Sequence, residues 1–284
     1  MSTPFLDLKS LAEQLHPDAL IFDIDGVLLE VKSSYLKAIE LTVARVLKRC
    51  GRPAPPALSV LVARLKKVKG YNNDWDCSYA LVLIGLVAGG PEEYAGIFTA
   101  LESTNQPLTV LEGTLCPLLE KSEEYDRALI WRDFQGYYLG RGKLKELYGG
   151  ECDFEADPLY LTEKPWVRAA TFESLATAYK LGVYTGRNRE EADLAFAGLG
   201  FYPAAVVADD GVSKKPDPAG LSLLQRELGF KRALYFGDSV DDATAVHRFG
   251  SAADLRLVAV GGELPGAVLR LEPEQLDSAL KTLL

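Results

Sequence analysis

ALIFDIDG, residues 19–26, is the stretch on which the fold turns. Its four leading residues, Ala19 to Phe22, are apolar without a break and too few for a helix. That is how a strand buried on both faces reads. The run ends in Asp23-Ile24-Asp25-Gly26. On an extended chain residues i and i+2 point the same way, so two carboxylates would face one pocket. Such a pair is costly unless a cation or a shared proton compensates. Gly26 lets the backbone turn away sharply. A plain strand-to-helix turn with an Asp cap would also produce these four residues, so the rest of the chain has to decide.

Further short apolar runs follow at Leu181–Tyr184, Ala204–Ala208, Ala233–Phe236 and Leu255–Val260. Helical spacing over 189–199, 218–228 and 242–249 separates them. This alternation predicts an α/β fold with a doubly wound parallel sheet. The chain between Phe22 and Leu181 is far longer than a crossover helix needs, and most of it carries a helical pattern. One helix is expected through Leu36–Leu47, capped by Ser33 or Ser34 and stopped by Gly51, and another over 58–68, stopped by Gly70. A third would run from an Asn73 or Asp74 cap through Leu86, with two more over 91–101 and 118–138. Residues 52–56, RPAPP, form a linker. The expectation is an α/β core of residues 1–31 and 166–284, with an all-helical domain, 32–165, inserted after the first strand.

In open α/β sheets ligands bind beyond the carboxyl ends of the strands. The first strand delivers Asp23 and Asp25 there, and the second Thr185-Gly186-Arg187. The third runs into Asp209-Asp210-Gly211 and then Lys214-Lys215-Pro216. The fourth delivers Gly237-Asp238-Ser239, with Asp241 and Asp242 just beyond. Taken singly each has a plainer reading: an ST-turn at Thr185, a solvated lysine at Lys215, a helix cap at Asp242. Together, the acids suit a hard cation held through oxygen, Mg²⁺ first. The Thr185 hydroxyl, the N–H groups around Gly186 and Lys215 suit an anion beside it, most naturally a phosphoryl group.

Composition narrows the classes. Forty Asp and Glu face 31 Lys and Arg, a net charge of −9, which argues against a nucleic-acid partner. The two histidines, His16 and His247, rule out chemistry built on a histidine cluster. Cys50, Cys77, Cys116 and Cys152 form no CxxC pair and read as reduced thiols. Residues 1–15 carry Asp7 and Glu13 and no apolar core of a signal peptide, and the longest apolar stretch, 79–90, falls short of the ~18 residues of a membrane span. A cytoplasmic chain without a membrane partner is expected.

The order and spacing of these motifs resemble the haloacid dehalogenase superfamily, in a match that covers the whole α/β part. DIDGVL from Asp23 looks like its first motif, Thr185 in VYTGR its second, Lys215 in KPDP its third, and GDSVDD from Gly237 its fourth. The helical insert is similar to the C1 cap of subfamily I, though larger. Two of its segments, from Ser34 to Thr42 and from Lys69 to Trp75, resemble a subgroup of subfamily IA. The resemblance implies that Asp23 attacks phosphorus to form an aspartyl-phosphate. Asp25 would protonate the leaving oxygen and then take a proton from water. Mg²⁺ would be held by the Asp23 carboxylate, the Asp25 backbone carbonyl and Asp238, with Asp241 or Asp242 in support. Thr185, Gly186 and Lys215 would hold the phosphoryl oxygens. The expected activity is hydrolysis of a small phosphorylated metabolite by a monomer or homodimer, with phosphoglycolate the first guess by resemblance. A sugar-phosphate mutase is the rival within the family; a phospho-signalling or non-catalytic binding module is the rival class. Asn72, Asn73 and Asp74 are candidates for selecting the substrate, against the plainer reading of a helix N-cap with Trp75 as a core anchor.

Overall fold

A computed structural model of the chain describes residues 7–68, 71, 73–104, 106–119, 125–211, 213–250 and 253–284. The chain opens with α1 (Leu8–Leu15), whose first turn is capped by the Asp7 carboxylate on the Ser10 N–H. β1 (Ala19–Phe22) follows, buried at every position, and then the short β2 (Leu29–Glu30).

Next come, among the described residues, the α-helices α2 (Lys37–Arg49), α3 (Leu58–Leu65), α4 (Asp74–Val87), α5 (Pro91–Thr104), α6 (Leu108–Leu115) and α7 (Arg127–Tyr148). The chain then returns through β3 (Lys164–Pro165), α8 (Ala169–Leu175), β4 (Lys180–Tyr184), α9 (Arg189–Leu199) and β5 (Ala205–Val207). It ends with α10 (Ala219–Leu228), β6 (Arg232–Gly237), α11 (Val240–Phe249), β7 (Asp254–Val260), β8 (Leu269–Leu271) and α12 (Leu276–Lys281).

Two compact units result, 1–30 with 164–284 and, between them in sequence, 31–163. In the first, six strands make a sheet in the order β5-β4-β1-β6-β7-β8, with every pairing parallel. From β1 the chain winds outward through β4 and β5, then crosses back to β6 on the other side and continues through β7 to β8. The reversal beside β1 is the switch point at which such sheets bind ligands. All five apolar runs of the sequence are strands of this sheet. The edge strand β8 and the antiparallel pair β2–β3, with Glu30 opposite Lys164, were not expected. They are only two or three residues long and carry no periodicity to read. The sheet core includes Phe22 stacked on Phe236 at 4.8 Å, with Phe172 edge-on at 5.8 Å.

In the helical unit, α4 is buried without interruption from Cys77 to Leu86 and packs against α2, α6 and α7. A helix apolar on all sides is a central core helix, which explains the long apolar stretch in the sequence. Buried Asp133 on α7 pairs with Arg49 at 2.7 Å and ties α7 to α2. Three expectations need correction here. Ser33 and Ser34 are not caps; they lie within a π-helical turn, Lys32–Leu36, that leads into α2, and Ser34 donates to the Val31 carbonyl and to Glu163. The helix expected over 118–138 starts at the Asp126 cap and extends to Tyr148, interrupted by Gly140 at φ +72°. Helix α6 was not anticipated. Gly70, expected to stop α3, lies outside the described residues. Among the described residues no helix is long and apolar enough to cross a membrane.

Candidate active site

Asp23 is carried one residue past β1, and its N–H donates to the Phe236 carbonyl at 2.9 Å, so the β1–β6 ladder itself sets its position. Its side chain is buried. Oδ1 accepts from the Ile24 N–H at 2.7 Å and pairs with Lys215 Nζ at 2.8 Å. Lys215 also pairs with Asp242 Oδ1 at 2.6 Å, so one ammonium bridges two carboxylates. The lysine lies 5.4 Å from the ring centre of Tyr184 and 5.8 Å from that of Tyr235. Its loop is held by the Tyr184 hydroxyl, which donates to the Asp217 carbonyl at 2.7 Å and lies 3.1 Å from Ser213 Oγ. The Lys215–Pro216 peptide is cis.

Asp242 settles a choice the sequence left open. On α11 it is fully enclosed, while Asp241 is half-buried in the same first turn. Asp242 Oδ1 takes Lys215 and the Tyr235 hydroxyl (2.6 Å). Oδ2 accepts from Ser239 Oγ at 2.7 Å and from the N–H groups of Ser239 and Asp238 at 3.0 and 3.2 Å. With both oxygens engaged by protein donors, Asp242 serves to anchor Lys215 and the turn that carries Asp238. The Ser239–Asp242 capping box is the local reason that turn forms.

Oxygens of Asp23, Asp238 and Asp242 lie within 4.8 Å of one another. Asp238 keeps access to solvent at the rim. Desolvation by the surrounding protein, with the charges of Asp23 and Asp242, nevertheless pushes its carboxyl up. Burial raises Asp23 to about 7, with Lys215 opposing and Asp242 and Asp25 adding to the rise. Burial works against the Lys215 ammonium as well, but Asp23 and Asp242 outweigh it and hold its pKa above the ordinary value. Burial opposes the charge of Asp242 too, but Lys215, with hydrogen bonds from Ser239 and Tyr235, holds its carboxyl below the ordinary value. A single lysine thus faces three acids, and a cation bound beside them would relieve the crowding of Asp23 and Asp238. The donors are all oxygen, the set for a hard divalent metal. Gly26, at φ +73°, makes this approach possible: any Cβ there would collide with the Asp238 carboxylate.

Thr185 is buried at the end of β4 and its Oγ1 accepts from the Arg187 N–H at 3.2 Å. The hydroxyl therefore makes the ST-turn and still keeps its proton to donate. A methyl added at Gly186 would meet nothing within 4 Å, so an anion has room over that peptide. Asp25 is held by Arg187, whose Nη2 and Nε reach its Oδ1 at 2.6 and 2.9 Å. The structure thus gathers Asp23, Asp25, Thr185, Lys215, Asp238 and Asp242 at one sheet edge. Sequence reasoning placed Arg187 at this edge without giving it a role, and missed Tyr184 and Tyr235 as parts of the site. A tyrosine inside an otherwise apolar strand was the available signal, because a buried hydroxyl needs a partner.

The cap candidates stand differently. Asn73 is the N-cap of α4, accepting from the N–H groups of Trp75 and Asp76 at 2.9 and 3.1 Å. Asp74 pairs with Lys66 at 2.7 Å, and Trp75 packs edge-on against Trp131. Asn72, with Lys69, lies outside the described residues.

The chain matches known proteins over most of its length. The family described as haloacid dehalogenase-like hydrolase matches residues 17–250. A phosphoglycolate phosphatase of Cereibacter sphaeroides is 34% identical over 220 residues, 70% of this chain and 94% of that protein. Among solved structures, a phosphatase from Thermococcus thioreducens, Tt82, superposes with a TM-score of 0.68 at 28% identity, covering 92% of this chain and 98% of its own. A candidate beta-phosphoglucomutase from Thermotoga maritima, at 22% identity and a TM-score of 0.53 over 94% and 100% of the two chains, shares the fold.

Proposed function

The chain belongs to the haloacid dehalogenase-like hydrolases and is a phosphatase, and from that premise we propose that it hydrolyses a small phosphorylated metabolite through an aspartyl-phosphate on Asp23, with Mg²⁺ as its metal. The observation that carries this reading is the ion-paired group Asp23–Lys215–Asp242 beside Asp238, set at the switch point of the sheet.

Asp23 attacks phosphorus. Lys215, Thr185 and the N–H groups at Gly186 hold the phosphoryl oxygens in line, and fixed donors of this kind cost no reorganisation when charge shifts. Asp25 gives its proton to the leaving oxygen as the ester bond breaks, then takes one from the water that cleaves the acyl phosphate. The residues that would hold the metal are Asp23, Asp238 and the backbone carbonyl of Asp25. When bound, Mg²⁺ supplies positive charge that lets an anionic carboxylate meet an anionic phosphoryl group. Asp242 keeps Lys215 in place. The α/β unit is the catalytic domain, and substrate choice is assigned to the helical unit. The oxygen donor set and the reduced thiols suit the cytoplasm.

Phosphoglycolate, the substrate in the name of the Cereibacter relative, heads the panel of phosphorylated organic acids, sugars and polyols to be assayed with Mg²⁺. Release of inorganic phosphate is expected. Conversion of a hexose 1-phosphate to its isomer without phosphate release would establish the mutase instead. Activity confined to phosphoproteins or nucleic acids would overturn the small-metabolite assignment.

A further inference from the structure

Arg187 is a fully buried arginine in a catalytic edge that otherwise needs no second cation. Its side chain is 1% exposed, while that of its partner Asp25 is 34% exposed. A carboxylate that open has staggered rotamers to choose among, and one that must reach a leaving oxygen has to be held in a single one.

Arg187 itself cannot drift. Its N–H donates to Thr185 Oγ1, its carbonyl accepts from the Asp209 N–H at 2.8 Å, and Nη1 reaches the Glu191 carbonyl at 3.5 Å. The main chain of Arg187 is therefore fixed at the ends of β4 and β5, and its guanidinium reaches α9 as well as Asp25. Both of its contacts to that carboxylate fall on Oδ1. Oδ1 is the tethered oxygen, and neither contact engages Oδ2.

We propose that Arg187 is the positioning residue for proton transfer, clamping Asp25 by Oδ1 so that Oδ2 delivers the proton to the leaving oxygen. This rests on the reading of Asp25 as the leaving-group acid. In the first step the ester P–O bond breaks as the Asp23–phosphorus bond forms, and the Oδ2 proton passes to the departing oxygen. In the second, water gives one of its own protons to Oδ2 while its oxygen takes the phosphoryl group, and Asp23 is regenerated. Arg187 gains and loses nothing in either step. Its N–H also turns Thr185 Oγ1 into an acceptor, so the same residue orients the hydroxyl toward the phosphoryl oxygens.

The test is leaving-group dependence, which a merely structural role would not move. Arg187→Met, Arg187→Lys and Asp25→Asn are compared with the wild type at saturating Mg²⁺ on two probes. Phenyl phosphate expels a poor leaving group that needs the proton; 2,4-dinitrophenyl phosphate expels one that does not. Arg187→Met is expected to lose about 100-fold or more in kcat/KM on phenyl phosphate and less than about fivefold on the dinitrophenyl ester. Arg187→Lys should fall between, since an ammonium offers a point donor in place of the fork.

Equal losses on both probes would overturn the proposal, and would point to a role in holding the phosphoryl group or the fold. If Arg187→Met does not fold, as read by circular dichroism, Arg187→Lys carries the same comparison: a larger loss on phenyl phosphate supports the clamp, and equal losses overturn it. Asp25→Asn separates the two levels. If it discriminates between the probes and the Arg187 variants do not, only the clamp falls. If Asp25→Asn is itself indifferent to the leaving group, the acid assignment falls and the clamp with it.

Discussion

At the scale of single residues, the site stores electrostatic cost where the chemistry needs it. Asp23 is buried, its carboxyl raised to about 7 first by burial, and only partly compensated by Lys215. A group in that state destabilises the metal-free fold at neutral pH when ionised, because the folded protein binds the proton more tightly than the unfolded chain does. Asp23→Asn removes the charge and keeps the shape. Turnover is expected to fall by on the order of 10⁴-fold, as for loss of a covalent nucleophile. The thermal midpoint in EDTA at pH 7 is expected to hold or rise. A variant with near wild-type turnover would remove Asp23 from the mechanism. The i, i+2 spacing at the end of the first strand is enough to single out Asp23 and Asp25. It carries no trace of the partner of each: Lys215 for one, Arg187 for the other.

At the scale of elements, one carboxylate ties the start of α8 to α12. Asp277 accepts from the Thr171 hydroxyl at 2.6 Å and from the N–H and Nε of Arg168 at 3.1 and 2.9 Å, and Lys281 lies 2.6 Å away. Burial opposes its charge, but these donors outweigh it and hold the carboxyl below its usual value. A depressed folded pKa means that the stabilisation is complete above the unfolded value near ~4 and is lost as pH falls through the folded one. Asp277→Asn is therefore expected to cost about 1 kcal/mol in urea unfolding at pH 7, with the gap from wild type closing below about pH 4. A gap that stays constant across that range would show that the charge contributes nothing. The bounds of α9 and the end of α10 were legible because each had a local cause: Asn188 before α9, and left-handed Gly200 and Gly229 at helix ends. The start of α11 was not: expected at Asp242, it lies at Val240 behind the Ser239 cap, with Asp242 as the third helical residue, closing the capping box. In the helical unit α6 and the true start of α7 were not, since tertiary packing rather than capping chemistry sets helices of weak amphipathicity.

At the scale of the whole molecule, the α/β unit is made of two separated pieces of chain rejoined by a short strand pair. Glu30 and Lys164 are direct antiparallel partners in it, which places their Cα atoms roughly 5 Å apart. A two-residue turn can close that gap. Replacing residues 31–163 by Asn-Gly is expected to leave an α/β unit that unfolds cooperatively and still turns over 2,4-dinitrophenyl phosphate with Mg²⁺, having lost its preference among metabolites. A product without cooperative unfolding would show that the core depends on the helical unit for stability. The acidic surplus of the chain, −9, contributes little to the chemistry. On the proposed mechanism a few carboxylates at the strand ends carry it, while Asp242 pairs with Lys215.

The order of the strands along the chain, the chemical character of their ends and the presence of a large helical insert were determined by the sequence itself, because apolar runs, caps and i, i+2 spacing act over a few residues. The tertiary structure alone decided which groups meet. Arg187 and Asp25 are 162 positions apart, and Lys215 finds Asp23 and Asp242 from a loop beyond a different strand. It also decided that Asp242 rather than Asp241 is the enclosed acid. Those pairings follow from the sheet order and the parallel register, which are set by burying the apolar strands together, and no local stretch of chain carries that information.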